Sequence, residues 1–267
     1  MKIEAGKWGD LRLRLISAAV MAVVASVDIW LGGPWFLALL ALISAGMVWE
    51  AARLGGAVRG PLRDVALPIA GGVALIAAEW IGAPLGFVLL GAVAGAVWAL
   101  AARLRHRLAF YAFFCMIAGL ALYGIRDLFG MVVLIWVIGV VIASDVMGYF
   151  AGRVLGGPKF WPKVSPKKTW SGTVAGWAGA ALLGWLLGDR LLAGGLDWPI
   201  SPVLFSVILA FAAQMGDIVE SALKRKAGIK DSSSLIPGHG GVLDRFDGMI
   251  GAALVFFPVL TVAGLLG

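Results

Sequence analysis

The run Leu128-Phe129-Gly130-Met131-Val132-Val133-Leu134-Ile135-Trp136-Val137-Ile138-Gly139-Val140-Val141-Ile142-Ala143-Ser144 carries no charge between Asp127 and Asp145. A helix needs about 20 mostly apolar residues to cross the hydrocarbon core of a bilayer. In lipid the backbone must satisfy its own hydrogen bonds, which a helix does within one segment. Residues 128–150 therefore read as a membrane span. Working outward from it, eight similar runs appear at 15–32, 34–52, 65–82, 84–102, 108–125, 171–188, 199–222 and 248–266. Barrel strands would show short alternating segments, whereas these runs are long and continuous. The expected fold is all-α: a polytopic integral membrane protein with about nine transmembrane helices.

Composition agrees. Of 267 residues 61% are hydrophobic and 14% charged, and the mean hydropathy is +0.96. A soluble domain carries roughly 25% charged residues, so this chain could not cover a soluble surface. A disordered chain and a disulfide scaffold are excluded too, the latter because Cys115 is the single cysteine. The 38 glycines fit close helix contacts, with Gly91/Gly95 and Gly172/Gly176 as examples. Lys2, Glu4, Lys7, Asp10, Arg12 and Arg14 precede the first run. With so many runs behind it, that run reads as a retained span rather than a cleaved signal.

The basic residues set an orientation. With the N-terminus in the cytoplasm, 20 of the 22 Lys and Arg fall on the cytoplasmic side, and only Arg126 and Arg190 fall opposite. That is a strong positive-inside bias. It predicts a polar cytoplasmic active-site face and argues against a nucleic-acid footprint. By content the chain divides into an N-terminal part, 1–127, with about five spans, and a C-terminal part, 128–267. The latter has about four spans and two long cytoplasmic loops.

Those loops, about 151–170 and 223–247, hold most of the unusual residues. The first has five basic residues and no acid, and ends on Ser165-Pro166-Lys167-Lys168-Thr169-Trp170-Ser171-Gly172. Thr169 or Ser171 would cap the following helix, and a helix N-terminus beside lysines suits an anion. An ordinary positive-inside loop reads the same way. Ahead of the second loop, Asp217, Glu220, Ser221 and Lys224 recur at helical spacing and would share one face. Asp244 and Asp247 are spaced i, i+3 if the last helix starts near Leu243. Asp145 lies late in its span, where an ionisable group is a functional candidate by default. Each acid alone also reads as half of a fold-stabilising salt bridge.

The chemistry implied is phosphate chemistry. Glycines around His239 let a backbone approach a ligand, Lys and Arg neutralise phosphate oxygens, and paired carboxylates suit Mg²⁺. Phosphoryl or nucleotidyl transfer uses such a set, because its catalysis is mostly positioning and charge neutralisation. No Walker A loop, protein-kinase motif set or dinucleotide glycine fingerprint is present.

The 27 residues from Ser221-Ala222-Leu223-Lys224-Arg225 through Lys230-Asp231 to Pro237-Gly238-His239-Gly240-Gly241-Val242-Leu243-Asp244-Arg245-Phe246-Asp247 closely resemble the signature of phosphatidate cytidylyltransferases, also called CDP-diacylglycerol synthases. Ser165-Pro166-Lys167-Lys168-Thr169 resembles a second block of that family. Asp145, Tyr149-Phe150 and Gly152-Arg153 resemble a third. Ser171 departs from the pattern, where many members have Glu, and so does Gly148, where many have Ala.

The resemblance implies a nucleotidyltransferase of phospholipid biosynthesis that converts CTP and phosphatidic acid to CDP-diacylglycerol and pyrophosphate. The lipid phosphate would attack the CTP α-phosphorus with Mg²⁺ assistance, and K⁺ would lie nearby. The metal ligands carry over to Asp217 and Asp244, which join Lys224, Arg245 and His239 as the catalytic set. Ser165, Lys167, Lys168, Thr169, Arg225, Lys230, Gly240 and Gly241 carry over as phosphate or substrate binders. Asp145, Ser221, Asp231 and Asp247 are further candidates. A homodimer in the cell inner membrane, in contact with membrane lipids, is implied as well. His239 reads as a phosphate donor or loop organiser rather than a base, because a phosphate monoester with a second pKa of ~6 is already anionic near neutral pH. The competing readings are a CTP-dependent lipid-alcohol kinase of the dolichol- or phytol-kinase type and, far behind, a transporter.

Overall fold

A computed structural model of the chain describes residues 4–57, 60–192 and 200–262. Lys2, Arg59 and residues 263–266 of the ninth expected run lie outside them. Among the described residues nine α-helices follow in order: α1 (Glu4–Leu31), α2 (Gly33–Leu54), α3 (Pro61–Ile81), α4 (Ala83–Leu100), α5 (Arg105–Leu128), α6 (Gly130–Leu155), α7 (Trp170–Leu192), α8 (Pro202–Ala227) and α9 (Leu243–Val262). Each overlaps one of the nine apolar runs. Seven of them, all but α7 and α9, are long and apolar enough to cross a membrane. The protein is an all-α polytopic membrane protein.

Short punctuation separates the first helices. Gly32, Gly60 and Gly82 precede α2, α3 and α4 with φ of 64°, 112° and 90°. Pro34, Pro61 and Pro84 follow at the first or second helical position, where a missing N–H costs nothing. The long loop expected at about 151–170 is shorter and more ordered. α6 runs on to Leu155, and an antiparallel hairpin follows, β1 (Lys159–Trp161) with β2 (Ser165–Thr169). The run Ser-Pro-Lys-Lys-Thr has no apolar alternation, so sequence patterning could not show it as a strand.

The chain packs as two compact units, each discontinuous in sequence: residues 1–116 with 227–246, and 117–226 with 247–267. In the first unit α2 packs on α3 and α3 on α4. A Cβ on Gly72 would meet the Ala41 carbonyl at 3.0 Å, and one on Gly71 would meet Val48 at 2.9 Å. Gly91 and Gly95 have nothing within 4 Å, so the close contact expected of that pair is absent among the described residues. In the second unit α6 packs on α7. There a Cβ on Gly172 would meet the Gly148 carbonyl at 2.5 Å, and one on Gly176 would meet Gln214 and Ser144 at 2.7 and 2.8 Å. The glycine expectation holds at 172 and 176. The crossing at Gly148, with its Cβ position 3.2 Å from the Gly172 carbonyl, also gives its departure from alanine a physical setting.

Candidate functional site

The polar residues gather in two places, one in each unit. In the second unit the hairpin delivers Lys167, Lys168 and Thr169 to the start of α7. Thr169 is the N-cap: its hydroxyl accepts the Gly172 N–H at 3.2 Å and lies 3.0 Å from Ser171 Oγ, which donates to the Gly156 carbonyl. These three hairpin residues line a cavity of about 500 Å³ with Asp145, Tyr149, Gly152 and Arg153 of α6 and Gln214 and Asp217 of α8. Ser165, at the far end of β2, is not among the lining residues.

Lys168 bridges to Asp217 at 2.5 Å and donates to the Gln214 carbonyl at 3.4 Å. The Gln214 side chain is fixed from three sides. It donates to Ser144 Oγ at 3.1 Å and to the Thr173 carbonyl at 3.2 Å, and it accepts the Trp177 indole N–H at 3.0 Å. Nothing in the sequence singled out Gln214. A lone amide in the apolar run Phe211-Ala212-Ala213-Gln214 was the available signal.

On α8 the expected stripe forms. Ser221 donates to Asp217 Oδ1 at 3.1 Å, and Lys224 meets Glu220 at 2.5 Å one helical turn on. Asp217, Glu220 and Asp247 each present a carboxylate oxygen within 4.8 Å of the others. Close packing makes this possible: a Cβ on Gly216 would lie 2.2 Å from the Asp247 carbonyl, and one on Gly251 would lie 2.1 Å from the Ala212 carbonyl. Glycines let α8 and α9 touch backbone to backbone, which sets three acids side by side. Such acids repel strongly at low dielectric, so the cluster favours cations. Lys168 and Lys224 supply two. Arg225 is exposed in the last turn of α8.

In the first unit the glycine-rich segment folds back on itself. Ile236 N–H donates to the Gly240 carbonyl at 2.8 Å and His239 N–H to the Ile236 carbonyl at 2.9 Å. Gly238 and Gly240 have φ of 75° and 86°, a region that glycine enters without strain. Arg245 Nε donates to the His239 carbonyl at 2.9 Å. His239 Nδ1 lies 2.8 Å from Ser17 Oγ of α1. A second cavity, of about 480 Å³, is lined by Lys230, Asp231, His239, Gly240 and Arg245 together with Arg14. Arg14, one of the charges ahead of the first run, and Ser17, inside that run, carry no sequence signal that ties them to a loop more than 200 residues downstream.

Asp244 has a different setting from Asp217. Its Oδ2 accepts three donors: Ser232 N at 2.9 Å, Ser232 Oγ at 2.8 Å and Gly241 N at 2.8 Å. The Gly241 N–H is thus engaged within the protein. Glu50 of α2, also unremarked in the sequence, accepts Ser233 Oγ and Val242 N at Oε1 (2.6 and 2.8 Å) and Ser232 Oγ and Leu243 N at Oε2 (2.9 and 2.8 Å).

The fold and these two polar regions define a membrane-embedded protein that gathers carboxylates and phosphate-type donors at helix ends. Its sequence matches the family described as "Cytidylyltransferase family" over residues 12–263, and the chain belongs to that family. It is 35% identical to a phosphatidate cytidylyltransferase of Brucella abortus over 259 residues, 93% of this chain and 92% of the relative. Relatives of the same name in Helicobacter pylori and Bacillus subtilis are 46% and 40% identical, each over 140 residues. Those matches cover 52% of this chain in both cases, and 51% and 48% of the relatives.

Proposed function

We propose that the chain is a phosphatidate cytidylyltransferase, an enzyme that converts CTP and phosphatidic acid to CDP-diacylglycerol and pyrophosphate. The observation that carries the reading is the nearly full-length similarity to a relative of that name. An oxygen of the lipid phosphate bonds to the CTP α-phosphorus as the bond to the pyrophosphate oxygen breaks. The attacking phosphate monoester is anionic near neutral pH, so the step needs charge neutralisation and alignment more than a general base. Lys167, Lys168 and Arg153 in one cavity, and Lys230, His239 and Arg245 in the other, offer phosphate donors. Lys224 and Arg225 add positive charge on α8, Thr169 lines the first cavity as the cap of α7, and Ser165 is proposed on the resemblance alone.

The oxygen-only set Asp217, Glu220 and Asp247 fits Mg²⁺, which takes hard oxygen ligands and keeps substrate phosphates in its shell. Bound there, Mg²⁺ would supply neutralisation of phosphate charge. Asp217 is the ligand on which the donor set and the family resemblance agree, and Asp244 is proposed as essential on the resemblance. K⁺ and a homodimer are proposed on the resemblance alone. Nine spans with the N-terminus inside, and a site facing the cytoplasm of the inner membrane, are supported by the 20:2 distribution of basic residues.

The test is direct. Detergent-purified protein with phosphatidic acid, Mg²⁺ and CTP labelled in the cytidine is expected to yield labelled CDP-diacylglycerol. Transfer of only the γ-phosphoryl group of CTP, to a lipid alcohol, would make it a kinase instead. Absence of turnover on phosphatidic acid would overturn the reading.

A further inference from the structure

Glu50 sits four residues from the end of α2, fully buried, and no step above uses it. Among the described residues no Lys or Arg forms an ion pair with it. The neighbouring Arg53 guanidinium lies instead over the Trp49 ring, 4.6 Å from its centroid. A buried carboxylate without a cation is costly unless donors replace its water. Here four donor groups line its two oxygens, two on each, one of them the Ser232 hydroxyl that it shares with Asp244. Two of them, the N–H groups of Val242 and Leu243, are donors at the start of α9 that lack a partner within the helix. The other two are the hydroxyls of Ser232 and Ser233, at the opposite end of the loop. One side chain therefore pins both ends of the segment that carries His239 and runs into Asp244 and Arg245.

Two further features tie Glu50 to this segment. A Cβ on Gly241 would lie 2.0 Å from Ser232 Oγ and 2.5 Å from Glu50 Oε1. The second glycine of the pair is thus demanded by Glu50 and Ser232, with no ligand needed to explain it. The Ser232 hydroxyl also lies 2.9 Å from Glu50 Oε2 and 2.8 Å from Asp244 Oδ2. A hydroxyl has one proton to donate, so Glu50 and Asp244 compete for it and a change at Glu50 is felt at Asp244.

We infer that Glu50 is a positioning residue for the reaction: it holds the loop 232–243 in the shape that presents Asp244, His239 and Arg245. The inference rests on the cytidylyltransferase reading and on the membership of those three residues in its machinery. Glu50→Gln keeps the size but turns one acceptor oxygen into a donor that must face the Val242 or the Leu243 N–H. In the full-length detergent-solubilised enzyme, kcat is expected to fall about 10²-fold, as for a misplaced catalytic group, with a smaller change in KM for CTP. Amide hydrogen exchange at Gly241, Val242 and Leu243 is expected to accelerate roughly tenfold or more, while α3 and α4 exchange as in the wild type. The Ser232→Ala/Ser233→Ala double variant leaves α2 untouched and is expected to show the same paired loss, also where Glu50→Gln fails to fold. Wild-type turnover in either folded variant overturns the inference. So does lost turnover with unchanged exchange at 241–243, or exchange accelerated throughout α2–α4. Asp244→Asn separates the two claims: wild-type turnover there would overturn the assignment of Asp244 to the machinery. An inactive Asp244→Asn beside an active Glu50→Gln would overturn only the role of Glu50.

Discussion

In the second unit Asp217, Glu220 and Asp247 crowd within 4.8 Å of one another and meet lysine ammonium groups. In the first unit Glu50 and Asp244 meet hydroxyls and backbone amides through contacts that include four to Glu50 and three to Asp244, the Ser232 hydroxyl being shared. The two solutions differ in what they leave undone. Amide and hydroxyl donors compensate a carboxylate locally and fix its geometry, which makes the first pair good at shaping a loop. Among the described residues three acids face one another beside the Lys168 and Lys224 ammonium groups, which makes the second cluster good at holding a cation or handing a lysine to an incoming phosphate. Glu50 thus serves to shape a loop, while the acids of the second cluster serve charge balance.

The largest effect should come from the three-acid cluster. Asp217→Asn removes the acid that faces Lys168 and anchors Ser221, and should lower kcat/KM by on the order of 10³-fold, about 4 kcal/mol of transition-state stabilisation. The assay of CDP-diacylglycerol formation checks this, with thermal unfolding in detergent confirming folded protein. Near-normal turnover would erase the distinction between the two acidic regions.

Glu220→Gln should come next. It takes a charge from the cluster and exchanges the carboxylate that the buried Lys224 ammonium meets at 2.5 Å for a neutral amide. Breaking a buried pair from one side costs roughly 3–5 kcal/mol, so unfolding in detergent should shift to lower temperature together with a fall in activity. Adding Lys224→Met should recover stability without recovering activity. If the double variant regains turnover, the pair serves architecture only, and the contrast with the first unit weakens.

Much of this molecule was legible in its residue order, and the reason is the solvent. A bilayer demands long apolar runs, so each of the nine runs coincides with a helix, and Gly-Pro punctuation marks where α2, α3 and α4 begin. The stripe on α8 was legible because Asp217, Ser221, Glu220 and Lys224 are neighbours through helical periodicity alone. The hairpin at 159–169 was not, because its strands are polar and lysine-rich. Glu50 was not either: its partners lie 182 to 193 residues away. An acid in an otherwise apolar run was a signal of the same kind as Asp145.

Glycine packing offers a gentler comparison between the units. Gly172→Ala would place a methyl 2.5 Å from the Gly148 carbonyl, whereas Gly91→Ala meets open space. Overpacking at a backbone contact costs typically about 1–3 kcal/mol, so Gly172→Ala should melt at lower temperature in detergent. Gly91→Ala should be neutral or slightly stabilised, because alanine is the better helix former by about 1 kcal/mol. A destabilised Gly91→Ala would mean that this face of α4 is covered in the working protein, and a homodimer contact would then be the first explanation to test.

The smallest effect concerns the scaffold beneath the cavity. Trp177→Phe keeps an aromatic ring beside Phe211 and deletes the indole N–H that meets Gln214 at 3.0 Å. A single neutral hydrogen bond contributes about 1 kcal/mol net, and Gln214 keeps its two other anchors. Turnover should therefore fall only severalfold, through looser placement of the Gln214 carbonyl that accepts Lys168. Gln214→Ala strips all three side-chain anchors, Ser144, Thr173 and Trp177, and should lose substantially more. Equal losses in the two variants would mean that the indole acts by itself, and that the amide is a filler rather than the hub of the network.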